Sequence, residues 1–199
     1  NENYDPPYQL GHHPIKKDHF SIIHSGDGDG WDIHNPCMSS IIIYNGNYYI
    51  IDAGPNIAQT LESLSISVSN IKGIFQTHAH DDHFSGLTTL IQADHRIKFY
   101  STKLVAASVE RKISALLGQP NILNRFFELN ELKHEVWNDI EGLMCLPINA
   151  PHPVETSNFI FKVIDDKDWK SYYHMADTSS LEVLSGMITK DPDAPGISR

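Results

Sequence analysis

One short stretch, Thr77-His78-Ala79-His80-Asp81-Asp82-His83, restricts the possible folds of this chain more than any other. It follows directly on Ile71-Lys72-Gly73-Ile74-Phe75, an apolar run that reads as a buried strand. Side chains two apart on an extended chain share a face, so a strand end turns His78 and His80 to the same side. A bend into a helix then lets Asp82 and His83 address a second point close by. Neutral imidazoles suit zinc or iron and carboxylates suit either, so the segment reads as half of a two-metal site. An exposed polar turn could also gather three histidines by chance. A total of 12 histidines in 199 residues invites a search for such a cluster, and the apolar strand that delivers this one from a core argues against chance.

The flanking pattern supplies a frame. Residues 1–18 show no hydrophobic period and read as an irregular arm, leaving 19–199 as a single domain. Phe20 to His24 is a short apolar run before a Gly/Asp-rich loop. Ser39–Tyr44 and Tyr48–Asp52 predict two strands joined at Asn45-Gly46, the pair a tight hairpin favours. Pro55 opens a helix reaching Leu64, with Ile57, Leu61 and Leu64 on one face. Leu87, Leu90 and Ile91 mark a second helix, Ile97–Tyr100 a strand, and Thr102–Leu117 a third helix ended by Gly118. Strands return at His134–Trp137, Leu143–Ile148, Phe159–Ile164 and Tyr172–Met175, with a turn at Asp165–Asp168 and a short helix over Leu181–Ile188. Such an order implies sheets inside and helices outside.

Composition excludes several partners. With 40% hydrophobic residues the chain can bury a core, and its net charge of −10, with no basic run longer than two residues, repels duplex DNA and long RNA. Cys37 and Cys145 are far apart in sequence and read as reduced thiols. No apolar run has the length of a membrane span and the first residues do not form a secretion signal, so no membrane contact and a cytoplasmic address are expected.

The histidine segment resembles the signature of the metallo-β-lactamase superfamily, His-x-His-x-Asp-His, which His78 to His83 match without a gap. Ile50-Ile51-Asp52-Ala53-Gly54 looks like that family's strand-ending Asp-x-Gly, and Ser85-Gly86-Leu87 like its Gly-Leu. The resemblance implies an α/β fold, a four-layer αββα sandwich with metals at one edge between the sheets. It further implies that His152 in Ala-Pro-His-Pro is a metal ligand and that Asp177 in Met-Ala-Asp-Thr bridges two cations. His78, His80 and His152 would hold one divalent ion and Asp82 and His83 the other, with zinc first in order and iron or manganese behind it. Asp82 and Asp177 are the implied catalytic carboxylates, around a hydroxide that bridges the metals. Asp52 would accept a hydrogen bond from a ligand imidazole. One departure stands out: no histidine lies between His174 and Arg199, where many members place a further ligand. Together with the loop-like Asp191–Gly196 ending, this predicts a fragment incomplete at its C-terminus, or a substitute such as His24 or His34.

The resemblance is nearest to the branch with phosphodiesterases and ribonuclease Z-like proteins, and acidity argues against transfer RNA. A small phosphodiester such as a cyclic nucleotide is the first expected substrate, and a thioester or lactone the next. A di-iron protein that binds, reduces or senses oxygen, and a relative that has lost catalysis, are the rivals; homodimerisation is left open. Trp31, in the loop Gly26–Cys37, could stack on a substrate ring or cap the core. Tyr172 and Tyr173 are expected in core packing, Met144 and Cys145 inside a strand, and the acidic pairs in solvated turns.

Overall fold

Alternation along the strands divides the apolar residues between two cores. The computed structural model describes residues 8, 10–13, 18–165, 168–180, 182, 183, 185, 188, 189, 197 and 198. Strands β1 (Phe20–Gly26), β2 (Ser39–Tyr44), β3 (Asn47–Ile51), β4 (Ile71–Phe75), β5 (Ile97–Ser101) and β6 (Phe127–Glu131) form one sheet in that order. Pairing is antiparallel from β1 to β3 and parallel from β3 to β6. A second, antiparallel sheet has the order β10-β9-β8-β7, made by β7 (Asn138–Ile140), β8 (Leu143–Asn149), β9 (Ser157–Asp165) and β10 (Asp168–His174). A two-residue parallel pair, β11 (Ile188–Thr189) and β12 (Ile197–Ser198), lies outside both.

Residues at alternate positions of β2 and β3 face opposite ways, as the period of two requires. Ile41, Ile43, Tyr48 and Ile50 pack with Ile71 and Ile74 against the helices. Those helices are α1 (Ile57–Ser63), α2 (Asp81–Phe84), α3 (Leu87–Leu90), α4 (Lys103–Leu117) and α5 (Leu123–Phe126). Ile42, Tyr49, Ile51 and Phe75 face the second sheet and meet Cys145, Phe159, Phe161 and Val163. Phe75 is central there, 4.8 Å from both the Tyr100 and the Phe161 ring. The hairpin turn forms as expected, with Asn45 and Gly46 both at positive φ (49° and 75°), the twist a two-residue turn needs.

The α/β architecture implied by the sequence is present, with helices outside one sheet and the two sheets face to face. The other face of the second sheet carries the half-exposed side chains of Ile164, Trp169 and Tyr173. So Tyr173 does not pack in the core, whereas Tyr172 lies against the cluster between the sheets. Cys145 is buried inside β8 as expected.

One expected strand is absent. His134–Trp137 is a turn, because Glu135 takes a positive φ of 55° and the Asn138 amide donates to Lys133 O and Val136 O. The turn carries the chain from β6 of one sheet to β7 of the other, so the strands lie on either side of it. The arm meets α1: Gln59 donates to Tyr8 O, and His13 N to Ser63 O. The Asp165–Asp168 turn, the helix expected over Leu181–Ile188 and the Asp191–Gly196 ending fall largely outside the described residues. No helix among the described residues is long and apolar enough to cross a membrane.

Candidate metal centre

Three chain segments meet where β4, β8 and β10 end. Gln76 to His80 follow β4, with His80 extended, and Ser157 N donates to Thr77 O at 3.0 Å, joining the two sheets at this edge. His152 follows β8 and Asp177 follows β10. Their loops are tied together, since Ser179 donates to Pro151 O from both its backbone N and its hydroxyl, each at 2.7 Å. Asn158 on β9 accepts from Ala176 N at 2.8 Å and fixes the approach to Asp177.

The sequence-predicted residues converge. One group is His78, His80, His152 and Asp177, and a second is Asp82, His83 and Asp177, with potential ligand atoms within 4.8 Å of one another in each. Asp177 belongs to both, its Oδ2 3.8 Å from the Nε2 atoms of His78 and His152 and its Oδ1 3.3 Å from His83 Nε2. His80 Nδ1 and His152 Nε2 face each other at 3.1 Å. His24 and His34, the suggested substitutes for a missing ligand, enter no such group among the described residues. His24 meets Ser40 at 3.0 Å instead, in a polar chain that runs through Tyr172 to buried His174. Trp31 does not cap the core, being 90% exposed.

Asp52 orients two of the candidate ligands, His83 directly and His78 through Thr77. It is buried at the end of β3 in a left-handed backbone conformation (φ 59°), which aspartate tolerates better than most residues. Its Oδ1 accepts from Thr77 N (2.8 Å) and Gln76 Nε2 (3.0 Å), its Oδ2 from Thr77 Oγ1 (2.5 Å) and His83 Nδ1 (2.7 Å). Since the Thr77 hydroxyl proton goes to Asp52, that oxygen is left to accept from His78 Nδ1–H at 2.9 Å. Both imidazoles are therefore held by Nδ1 and present Nε2 to the centre. Thr77 and Gln76 were not singled out as functional by sequence; the visible signal was a pair of polar residues ending an otherwise apolar strand.

The chain folds this tightly because α2 packs on the loop after β3. Ala53 N donates to His83 O and Gly86 N to Ala53 O, each at 2.8 Å. A Cβ on Gly54 would stand 2.0 Å from Asp82 O, so the close approach requires glycine.

The donor set fits a divalent ion. His78 Nε2 and His83 Nε2 are buried with no hydrogen-bond partner, an expensive arrangement unless something else fills the role. His83 Nε2 lies 3.2 Å from Asp82 Oδ2, within reach yet not aligned for a hydrogen bond. Burial pushes His78 down to about 4 and also lowers His152, keeping lone pairs available. Burial works against charge on His83 too, but Asp52, Asp177 and Asp82 outweigh it and push the imidazole up to about 12. The His83 imidazole, its Nε2 3.3 Å away, in turn holds Asp177 down at about 2. In the metal-free protein a proton on His83 thus balances the carboxylates that a cation would otherwise neutralise.

Two facing sheets with helices outside, and a His/Asp cluster at their edge, define a metallo-β-lactamase-fold protein with a candidate site for divalent metal ions. The chain belongs to the family described as Anti-Pycsar protein Apyc1, whose model matches residues 20–184. Among curated proteins it is similar to ribonuclease Z of Borrelia hermsii, 34% identical over 182 residues, covering 86% of this chain and 56% of that protein. It also resembles the cAMP/cGMP-dependent 3',5'-cAMP/cGMP phosphodiesterase B of Dictyostelium discoideum, 29% identical over 119 residues, covering 57% of this chain and 11% of that one. The chain spans 23% of the Borreliella afzelii ribonuclease Z it matches. These relatives are hydrolases by name. Solved structures share the fold: YhfI from Bacillus subtilis (TM-score 0.61, 13% identity, 82% of this chain and 64% of that one) and the short form of human tRNase Z (0.56, 15%, 82% and 73%).

Proposed function

We propose that this chain is a dinuclear metal-dependent hydrolase of a small phosphodiester, a cyclic nucleotide being the favoured substrate. The observation that carries the reading is Asp177, whose two carboxylate oxygens point separately at the two ligand groups. In this reading His78, His80 and His152 hold one zinc ion, Asp82 and His83 hold a second, and Asp177 is shared between them. When bound, two such cations supply Lewis acidity and bring a water molecule's pKa from about 15.7 to about 7.

The chain's own residues supply the rest. Asp52 and Thr77 hold the Nδ1 atoms of His83 and His78, so their Nε2 atoms stay aimed inward. Asp82 and Asp177 would hold the metal ions with carboxylate oxygens and would orient the proton of an attacking water. The loop that precedes β2 borders the centre, since a Cβ on Gly30 would fall 2.7 Å from Asp82 Cβ. The phosphodiesterase among the relatives supports phosphodiester chemistry, and the net charge of −10 weighs against a long RNA.

The test is elemental analysis of protein purified without added metal, followed by turnover of cyclic nucleotides, thioesters and lactones. Two zinc ions per chain with phosphodiester turnover is the expected result. His80→Ala should lose most bound metal and all turnover while its far-ultraviolet circular dichroism stays unchanged. Full metal content in that variant would overturn the ligand assignment.

A further inference from the structure

Trp31 is 90% exposed, the extreme among the large apolar side chains of the described residues. Leaving an indole in water has no structural return, and nothing in the core depends on it. Its place in the chain, however, is tightly set. Gly28 N and Met38 N form backbone hydrogen bonds that close the loop with the segment Pro36 to Met38, and Trp31 N donates to Asp29 Oδ1 at 3.0 Å. The preceding residue, Gly30, lies directly against the centre: a Cβ there would fall 2.7 Å from Asp82 Cβ and 3.3 Å from Asp82 Oδ2. Trp31 is thus one residue from a backbone contact with a candidate ligand of the second cation.

The loop's chemistry narrows what the ring meets. Between Ser25 and Cys37 there is no Lys or Arg, while Asp27, Asp29 and Asp32 are exposed. Such a loop offers no cation to a second phosphate and repels a polyanionic backbone. It does offer an aromatic face, which any nucleobase can stack on. A ligand carrying one phosphodiester charge, neutralised at the centre, and one flat ring satisfies both conditions.

We propose that Trp31 is a specificity-determining residue that stacks on the base of a cyclic nucleotide whose phosphodiester occupies the centre. The proposal rests on the phosphodiesterase reading above and names the substrate feature that this loop selects.

The experiment compares metal-loaded wild type, Trp31→Ala and Trp31→Phe on cyclic nucleotides and on the abasic cyclic ribose phosphate. Trp31→Ala should raise KM for the nucleotides about tenfold with kcat little changed, Trp31→Phe should stay within about threefold, and KM for the abasic compound should not move. Equal effects of Trp31→Ala on both compounds, or none on either, would overturn the stacking role while leaving the phosphodiesterase reading intact. Wild-type turnover of the abasic compound without turnover of any nucleotide would overturn it as well. A shift of Trp31→Ala from dimer to monomer in sedimentation, with loss of activity on every substrate, would replace it with a subunit contact. Absence of phosphodiester turnover by the wild type would end both readings together.

Discussion

Asp52 is fully buried, and four donors surround its carboxyl group, two from Thr77, one from Gln76 and one from His83. Replacing one carboxylate oxygen with an amide nitrogen puts a donor where an acceptor is needed. Asp52→Asn should therefore weaken the second cation site about 10–100-fold, the usual cost of losing a partner behind a metal ligand. Chelator competition followed by elemental analysis reads the effect, and unchanged affinity for both cations would contradict this role. At the scale of single residues the clustering of the candidate ligands was legible, because imidazoles and carboxylates at fixed spacing have few other uses. Thr77 and Gln76 were not, since what they bond to lies 24 and 25 positions away along the chain and depends on β3 and β4 lying side by side.

Helix α4 shows how an element far from the motif in sequence reaches it in space. Val105, Val109 and Ile113 anchor one face in the core. Lys112, from the neighbouring face, donates to Ala79 O and pairs with Asp81, each at 2.6 Å, and its ammonium sits 5.0 Å from the Phe84 ring centroid. Both polar contacts fall on residues between the ligands, so the helix steadies the segment from His78 to His83. Lys112→Met should loosen metal binding about fivefold, the equivalent of one modest charged hydrogen bond, and Lys112→Arg should recover most of it. Isothermal titration of metal-free protein measures both. The strands and helices around this centre were legible from alternation and from helical spacing, β2, β3, β4 and α4 above all. The His134–Trp137 segment misled because its residues have strand composition, while the change of sheet there is set by the long-range pairing of β6 with β5 and of β7 with β8.

For the whole molecule, two buried histidines set the response to acid. Burial lowers His78 and His174 to about 4, below the ordinary value of 6.5 that the unfolded chain recovers. Between those values the unfolded state binds more protons, so stability is present above pH 6.5 and is lost as pH falls toward 4. Each histidine contributes roughly 3 kcal/mol at most across that window, taking 1.36 kcal/mol per pKa unit. His83 works the other way: raised to about 12, it is protonated in both states below pH 6.5 and adds no slope there. Thermal unfolding of metal-free protein from pH 7 to pH 4 should show the decline, and a flat profile would contradict it. The layered fold was visible in the sequence through its motif and strand pattern. The burial of His174 between the sheets was not, because it depends on Tyr172 and Ser40 meeting across strands of different sheets. The pairing of cations at the sheet edge is tested most directly by anomalous diffraction at the zinc edge from crystals of metal-loaded protein. Two peaks should appear, one bounded by His78, His80 and His152, the other by Asp82 and His83, with Asp177 touching both. A single peak remote from Asp177, or none, would contradict the shared centre.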